Sequence, residues 1–241
     1  MTLPVTTFQD AADRYRVGIA HAHNVVQAHR ASGGPGRGRR TAEVSLNRAI
    51  VLMAVASWQA LIEDLVLAAF QHTTGVTNQG RINKVRDEVK KFATPDAAKS
   101  RRLIKDNIDG LDILPAWQWS KHGGQGLGLL VTGPHEAAAQ LEAWLRIRHA
   151  VAHGARNLFE GFVEPFTSPP IAGASTTATD LRPYVSKNYR QGGTATLGLT
   201  DARQCLTFFN NLSDATGNTL TAQLKQPKLV WRQVGAVEGI W

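Results

Sequence analysis

The sequence predicts an all-α fold, an antiparallel four-helix-bundle core that carries long loop insertions. Three observations lead there. Apolar residues recur at three- and four-residue spacing in four separate stretches, segments rich in glycine and proline part those stretches, and no repeat of 20–50 residues runs through the 241 positions. The last point excludes solenoids. At 43% hydrophobic and 19% charged residues the chain has the balance of a globular domain with a core of its own. One domain over residues 1–241 is the economical reading, with a basic insertion at about 76–133 and a loop insertion at about 155–199.

The first helix is predicted from about Thr7 to Ala31, where Phe8, Ala12, Tyr15, Ile19, Ala22 and Val26 follow helical spacing. Ser32–Gly38, with four glycines and a proline, ends it, since glycine costs about 1 kcal/mol and proline about 3 kcal/mol inside a helix. A second helix starts near Thr41, where Thr41 and Glu43 suit a cap, and continues to about Thr74 before Gly75. At 1.5 Å per residue it would be about 50 Å long. Ile82, Val85, Val89 and Phe92 mark a short amphipathic helix with a basic outer face, and Thr94-Pro95-Asp96 a new start. Asp109–Gly133, holding Pro115, Trp117, Trp119 and a glycine cluster, is read as irregular. A third long helix runs from Pro134, suited to a first helical position, to a stop at Gly154. Phe162–Gly193 contains four prolines among small polar residues and is read as a loop or short β excursion. The last helix starts at Thr200-Asp201 and reaches Leu224, and the tail after Pro227 is expected to pack back as a strand.

The 27 basic and 19 acidic residues give +8, and the excess is concentrated. Arg81–Lys105 holds nine basic against three acidic residues, and Arg30–Arg40 adds four arginines; the rest of the chain is slightly acidic. Lys90, Lys91, Arg101 and Arg102 are the expected nucleic-acid contacts in this insertion, with Arg146 a further one, because clustered cations draw a polyanion. A solvated helix face is the plainer reading of the same run. Cys205 is the lone cysteine, read as a buried small hydrophobe in a reduced, cytoplasmic protein. No secretory pattern opens the chain, and Gln59, Glu63 and Asp64 interrupt the apolar run Ala49–Phe70, so no membrane partner is expected.

Chemistry concentrates in Trp144–Gly154, where Arg146, Arg148, His149 and His153 sit on a helix otherwise built for a core. Three readings stand side by side. His149 and His153, four apart, share a face and could hold a metal, although the glutamate of an H-E-x-x-H motif and a nearby third ligand are missing. The cations could simply favour the helix C-terminus, by about 0.3–1 kcal/mol each. The third comes from resemblance. Arg148-His149-Ala150-Val151-Ala152-His153 fits the Arg, polar residue, three residues, His signature of HEPN domains, and its setting resembles the RiboL-PSP-HEPN branch. Trp58, Leu61, Ile62, Glu63 and Leu65 on the second helix resemble the tryptophan and glutamate pattern of such proteins, so the likeness covers about 41–75 and 136–154.

That resemblance implies a metal-independent endoribonuclease without cofactor, commonly a homodimer, in toxin–antitoxin, antiphage or RNA-processing systems, with RNA as substrate and an antitoxin protein as a further partner. It places His153 in acid–base work, Arg148 at the phosphate and His149 in an assisting role. A non-catalytic HEPN-like nucleic-acid-binding or protein-interaction module is the alternative. The residue after the motif arginine departs from the family's usual asparagine or aspartate. On a regular helix Arg148 and His153 lie about 140° apart, whereas Arg146, His149 and His153 fall within about 60°, so the wheel favours Arg146 and the motif register Arg148. An arginine on the apolar side beside Trp144 and Val151 calls for an acidic partner such as Glu63, or for a symmetric interface. His21, His23 and His29 read as surface decoration. Trp117 and Trp119 could stack bases or anchor the insertion. No P-loop, dinucleotide-binding fingerprint or serine-nucleophile elbow is present.

Overall fold

The protein is described from a computed structural model, which defines residues 7–31, 41–75, 80–81, 83–84, 87, 105, 112–122, 129–153 and 197–231. These are mostly helical, and the fold is all-α in class. The four long helices are α1 (Phe8–Ala31), α2 (Thr41–Thr74), α3 (Pro134–Ala152) and α4 (Leu199–Gln223). Lys90, Lys91, Arg101, Arg102 and the expected β excursion at Phe162–Gly193 lie outside the described residues. Of the basic insertion, residues 81, 83, 84 and 87 are helical and exposed.

A reciprocal cap starts α1: the Thr7 N–H donates to Asp10 Oδ2 at 2.9 Å and the Asp10 N–H donates to Thr7 Oγ1 at 3.0 Å. These bonds hold the Asp10 carboxyl below its ordinary pKa, with Arg14 adding to the effect. Apolar residues then follow one face, and Phe8, Ala12, Tyr15, Ile19, Ala22 and Val26 are buried. By contrast, α2 is apolar around most of its circumference, and correspondingly it packs against α1, α3 and α4. Its Val44–Thr74 stretch has the length and composition of a membrane span, and Ile50, Trp58, Leu61, Ile62 and Leu65 within it form the centre of the core. Gly75 closes the helix at φ +62°, a left-handed conformation that a Cβ would strain.

Contacts fix the helix directions. Phe8 meets His72 edge-on at 6.4 Å, Arg14 pairs with Asp64 at 3.0 Å, and Gly18 lies against Ser57, so α1 and α2 are antiparallel. A Cβ on Gly18 would fall 2.6 Å from Ser57 Oγ; glycine lets the two helices approach. Asn47 Nδ2 donates to the Leu197 carbonyl at 3.0 Å, Trp58 meets Phe209 at 6.3 Å and Gln226 meets His72 at 3.3 Å, so α4 runs parallel to α2. The Tyr15 hydroxyl donates to Asn210 Oδ1 at 3.0 Å across the α1–α4 seam. Burial pushes that phenol's pKa well up.

Two expectations are corrected. Asp109–Gly133, irregular by its sequence, contains a 3-10 turn at Leu114–Ala116 and an antiparallel ribbon of β1 (Trp119–His122) with β2 (Leu129–Thr132), in register Trp119 to Thr132. Four-residue strands in a glycine-rich stretch carry too little alternation to announce themselves, and cross-strand pairing stabilises them. Trp117 is 0% exposed, its indole N–H donating to Thr216 Oγ1 at 3.0 Å and its ring meeting Trp58 at 6.4 Å. It anchors the insertion to the core and cannot stack bases. Trp119, half-buried, meets Phe208 at 5.7 Å.

The second correction concerns the tail, which packs back but not as a strand over the described residues 226–231. Its peptide groups are met by a side chain instead. Gln9 Nε2 donates to the Val230 carbonyl at 2.7 Å and the Val230 N–H donates to Gln9 Oε1 at 3.0 Å. Leu229, 5% exposed, and Trp231 lie over Gly217 of α4.

Candidate functional site

Helix α3 begins after Gly133 with Pro134 in the first turn, where a missing N–H leaves no bond unmade. One face, with Leu141, Trp144, Ile147 and Val151, is buried against the core. That burial fixes the helix rotation and directs what lies between these positions toward solvent. Arg146 and Arg148 are half-buried, while His149 and His153 are exposed. His153 caps the helix at φ −88° and ψ 10°, and its N–H donates to the His149 carbonyl at 3.0 Å. The near-helical backbone keeps His153 one turn from His149, and the two imidazole centroids stand 4.3 Å apart with planes at 54°.

The histidines that the motif separates by four residues are thus side by side in water. Arg148 lies between the register positions of Trp144 and Val151, at the border of core and solvent. Among the described residues no carboxylate pairs with it. The Glu63 partnership is therefore not formed: Glu63 is half-buried on α2, and its neighbour Asp64 instead engages Arg14. Nor does a hydrogen bond join Arg148 to either histidine among the described residues. Arg146 stands one turn after Glu142. Burial pushes its guanidinium pKa down to about 10, against the opposing pull of Glu142, so it stays charged at neutral pH.

Other groups play no part in this cluster. Cys205 is fully buried in α4, and burial pushes its thiol well up, which makes it a poor nucleophile or ligand. Among the described residues no three His, Cys, Asp or Glu side chains are grouped to hold a metal ion. His21 is exposed, in keeping with the reading as decoration, while burial on α1 lowers the pKa of half-buried His23, which does not fit it; the side chain of His29 lies outside the described residues.

Sequence reasoning missed one feature. A cleft of about 420 Å³ lies where the start of α1, the end of α2 and the chain after α4 meet, lined by Phe8, Gln9, Gln71, His72, Lys228 and Leu229 among others. None of its lining residues comes from α3. Its parts are apolar and polar residues from two helix ends and the chain after α4, far apart in sequence, and no spacing rule joins them. No protein-family profile, curated protein or solved structure matches the chain.

Proposed function

We propose that the chain is a metal-independent endoribonuclease of HEPN-like architecture, its four helices forming an antiparallel bundle and two cytoplasmic copies forming the working dimer. The observation that carries the reading is the end of α3, where exposed His149 and His153 stand 4.3 Å apart beside Arg148, a cation with no acidic partner among the described residues. A phosphate is the natural partner for such a guanidinium.

The reaction needs little else. The His153 imidazole takes the proton of a ribose 2′-hydroxyl. The oxygen attacks the adjacent phosphorus, and Arg148 holds the charge that grows on the phosphoryl oxygens. The 5′-oxygen of the next nucleotide leaves with a proton from His149 or its symmetry mate. The products carry 2′,3′-cyclic phosphate and 5′-hydroxyl ends, and DNA, which lacks the attacking hydroxyl, survives. Arg146 and the basic insertion with Lys90, Lys91, Arg101 and Arg102 gather the strand. A toxin or antiphage role, with an antitoxin protein as restraint, follows from the same reading.

The test is cleavage of single-stranded RNA in EDTA by the parent, His153→Ala and Arg148→Ala, with circular dichroism to check folding. Both folded variants are expected to lose at least 100-fold in rate, since acid–base groups contribute roughly 10²–10⁴-fold. Folded variants that cut as fast as the parent would refute the assignment. Salt-sensitive RNA binding without any cleavage by the parent would make the protein a binding module.

A further inference from the structure

The pairing of His149 with His153 has a second chemistry, independent of acid–base work. Two imidazoles one helical turn apart are the minimal chelate for a divalent transition metal, because residues i and i+4 lie over one another on one face. Metal–nitrogen bonds of about 2.0–2.1 Å place two nitrogens on one ion roughly 3 Å apart, a spacing that rings with centroids 4.3 Å apart reach by side-chain rotation. Both rings are exposed, and the His153 N–H bond to the His149 carbonyl holds the backbone in register.

We propose that His149 and His153 form a bidentate surface site for a divalent transition-metal ion of the zinc, nickel or copper type, and that its occupancy inhibits the protein. The inhibitory half rests on the endoribonuclease reading. Ligation uses the imidazole lone pair that would accept the 2′-hydroxyl proton, and sets a dication where Arg148 and the substrate phosphate must meet. With two protein ligands the ion keeps water in its other positions. Such a site binds reversibly, in the manner of a regulator and not of a structural metal.

The probe is Ni²⁺, titrated calorimetrically into the full chain without a histidine tag at neutral pH. One ion per chain is expected, with affinity falling roughly 10- to 100-fold in His149→Ala and in His153→Ala as the chelate becomes a single ligand, and unchanged in His72→Ala. Absence of a one-to-one event, or one insensitive to both substitutions, would overturn the site. In the second arm Ni²⁺ is added to RNA cleavage by the parent. Loss of rate at the concentrations that fill the site, restored by EDTA, is expected. Undiminished cleavage with the site filled overturns the inhibition and leaves the nuclease standing. A filled site on a chain that never cuts RNA overturns the nuclease reading, and with it the inhibition, while the metal site stands.

Discussion

Replacing Gly217 by alanine sets two effects of known sign against each other. In an isolated helix the change would stabilise by about 1 kcal/mol, because glycine gives up more backbone freedom on folding. In α4, however, the new methyl would stand 2.6 Å from Leu229 Cδ1 and 3.0 Å from Trp231 Cζ2, against an ordinary carbon–carbon contact of about 3.5–4.0 Å. Overpacking of this kind costs about 1–3 kcal/mol. Releasing the tail instead would forfeit the burial of Leu229, about 1.5–3 kcal/mol. Packing outweighs propensity, with a net loss of roughly 1 kcal/mol and a melting temperature lower by about 2–4 °C. Urea denaturation measures the total, and hydrogen exchange at the Val230 amide, bonded to Gln9 Oε1, reports whether the tail has moved. A variant about 1 kcal/mol more stable than the parent, with Val230 equally protected, would show that the tail does not press on Gly217.

Thr216→Val keeps the shape of its side chain but strips the Trp117 indole N–H of its acceptor; urea denaturation is expected to show a loss of about 1–3 kcal/mol, the penalty of a buried unmet donor. Asp10→Ala removes the carboxylate half of the α1 cap, the bond from the Thr7 N–H, while the backbone N–H of residue 10 keeps Thr7 Oγ1; the cost should be about 0.5–1.5 kcal/mol. Because the folded carboxyl titrates below its ordinary value of 3.8, its contribution is present above that pH and lost as pH falls through the folded value, so the gap between Asp10→Ala and parent should close in acid. His23 is also lowered, by burial, from 6.5; the unfolded chain then binds more protons, stability is full above that pH and falls on acidification, and His23→Gln should flatten the profile measured between pH 7 and 5. Arg14→Ala, which removes an exposed ion pair with Asp64, should shift stability by no more than about 1 kcal/mol in urea.

The long helices were legible because their signals are local. Glycine and proline bracket α1, α2 and α3, and the apolar spacing within each sets the buried face, so Thr41 to Thr74 and the start at Pro134 follow from the chain itself. What was not legible depends on partners distant in sequence. The β1–β2 ribbon needs Trp119 to face Thr132, and the tail needs Gln9 from the far end of the chain. The candidate site divides the same way. The His149–His153 pairing follows from a four-residue interval, whereas the fate of Glu63 turned on another helix: with Asp64 drawn to Arg14 and Glu63 half-buried, neither serves Arg148. Trp117 gave an ambiguous signal, since an indole in a basic insertion suits either a base or a core, and only Thr216 beside it decides.

The clasp between Gln9 and Val230 spans 221 positions, so during synthesis α1 waits for nearly the last described residues before its end is secured. At 5–20 residues per second that wait is on the order of 10–45 s. During it α1 and the apolar α2 can pair with each other and then with α3, while the surface of α2 destined for α4 stays open to chaperones or to other nascent chains. The same clasp brings the two ends of the described chain together, so a circular permutant joined there and reopened in the Ser32–Gly38 connector would let the two ends fold as neighbours in sequence, and should shorten that exposure.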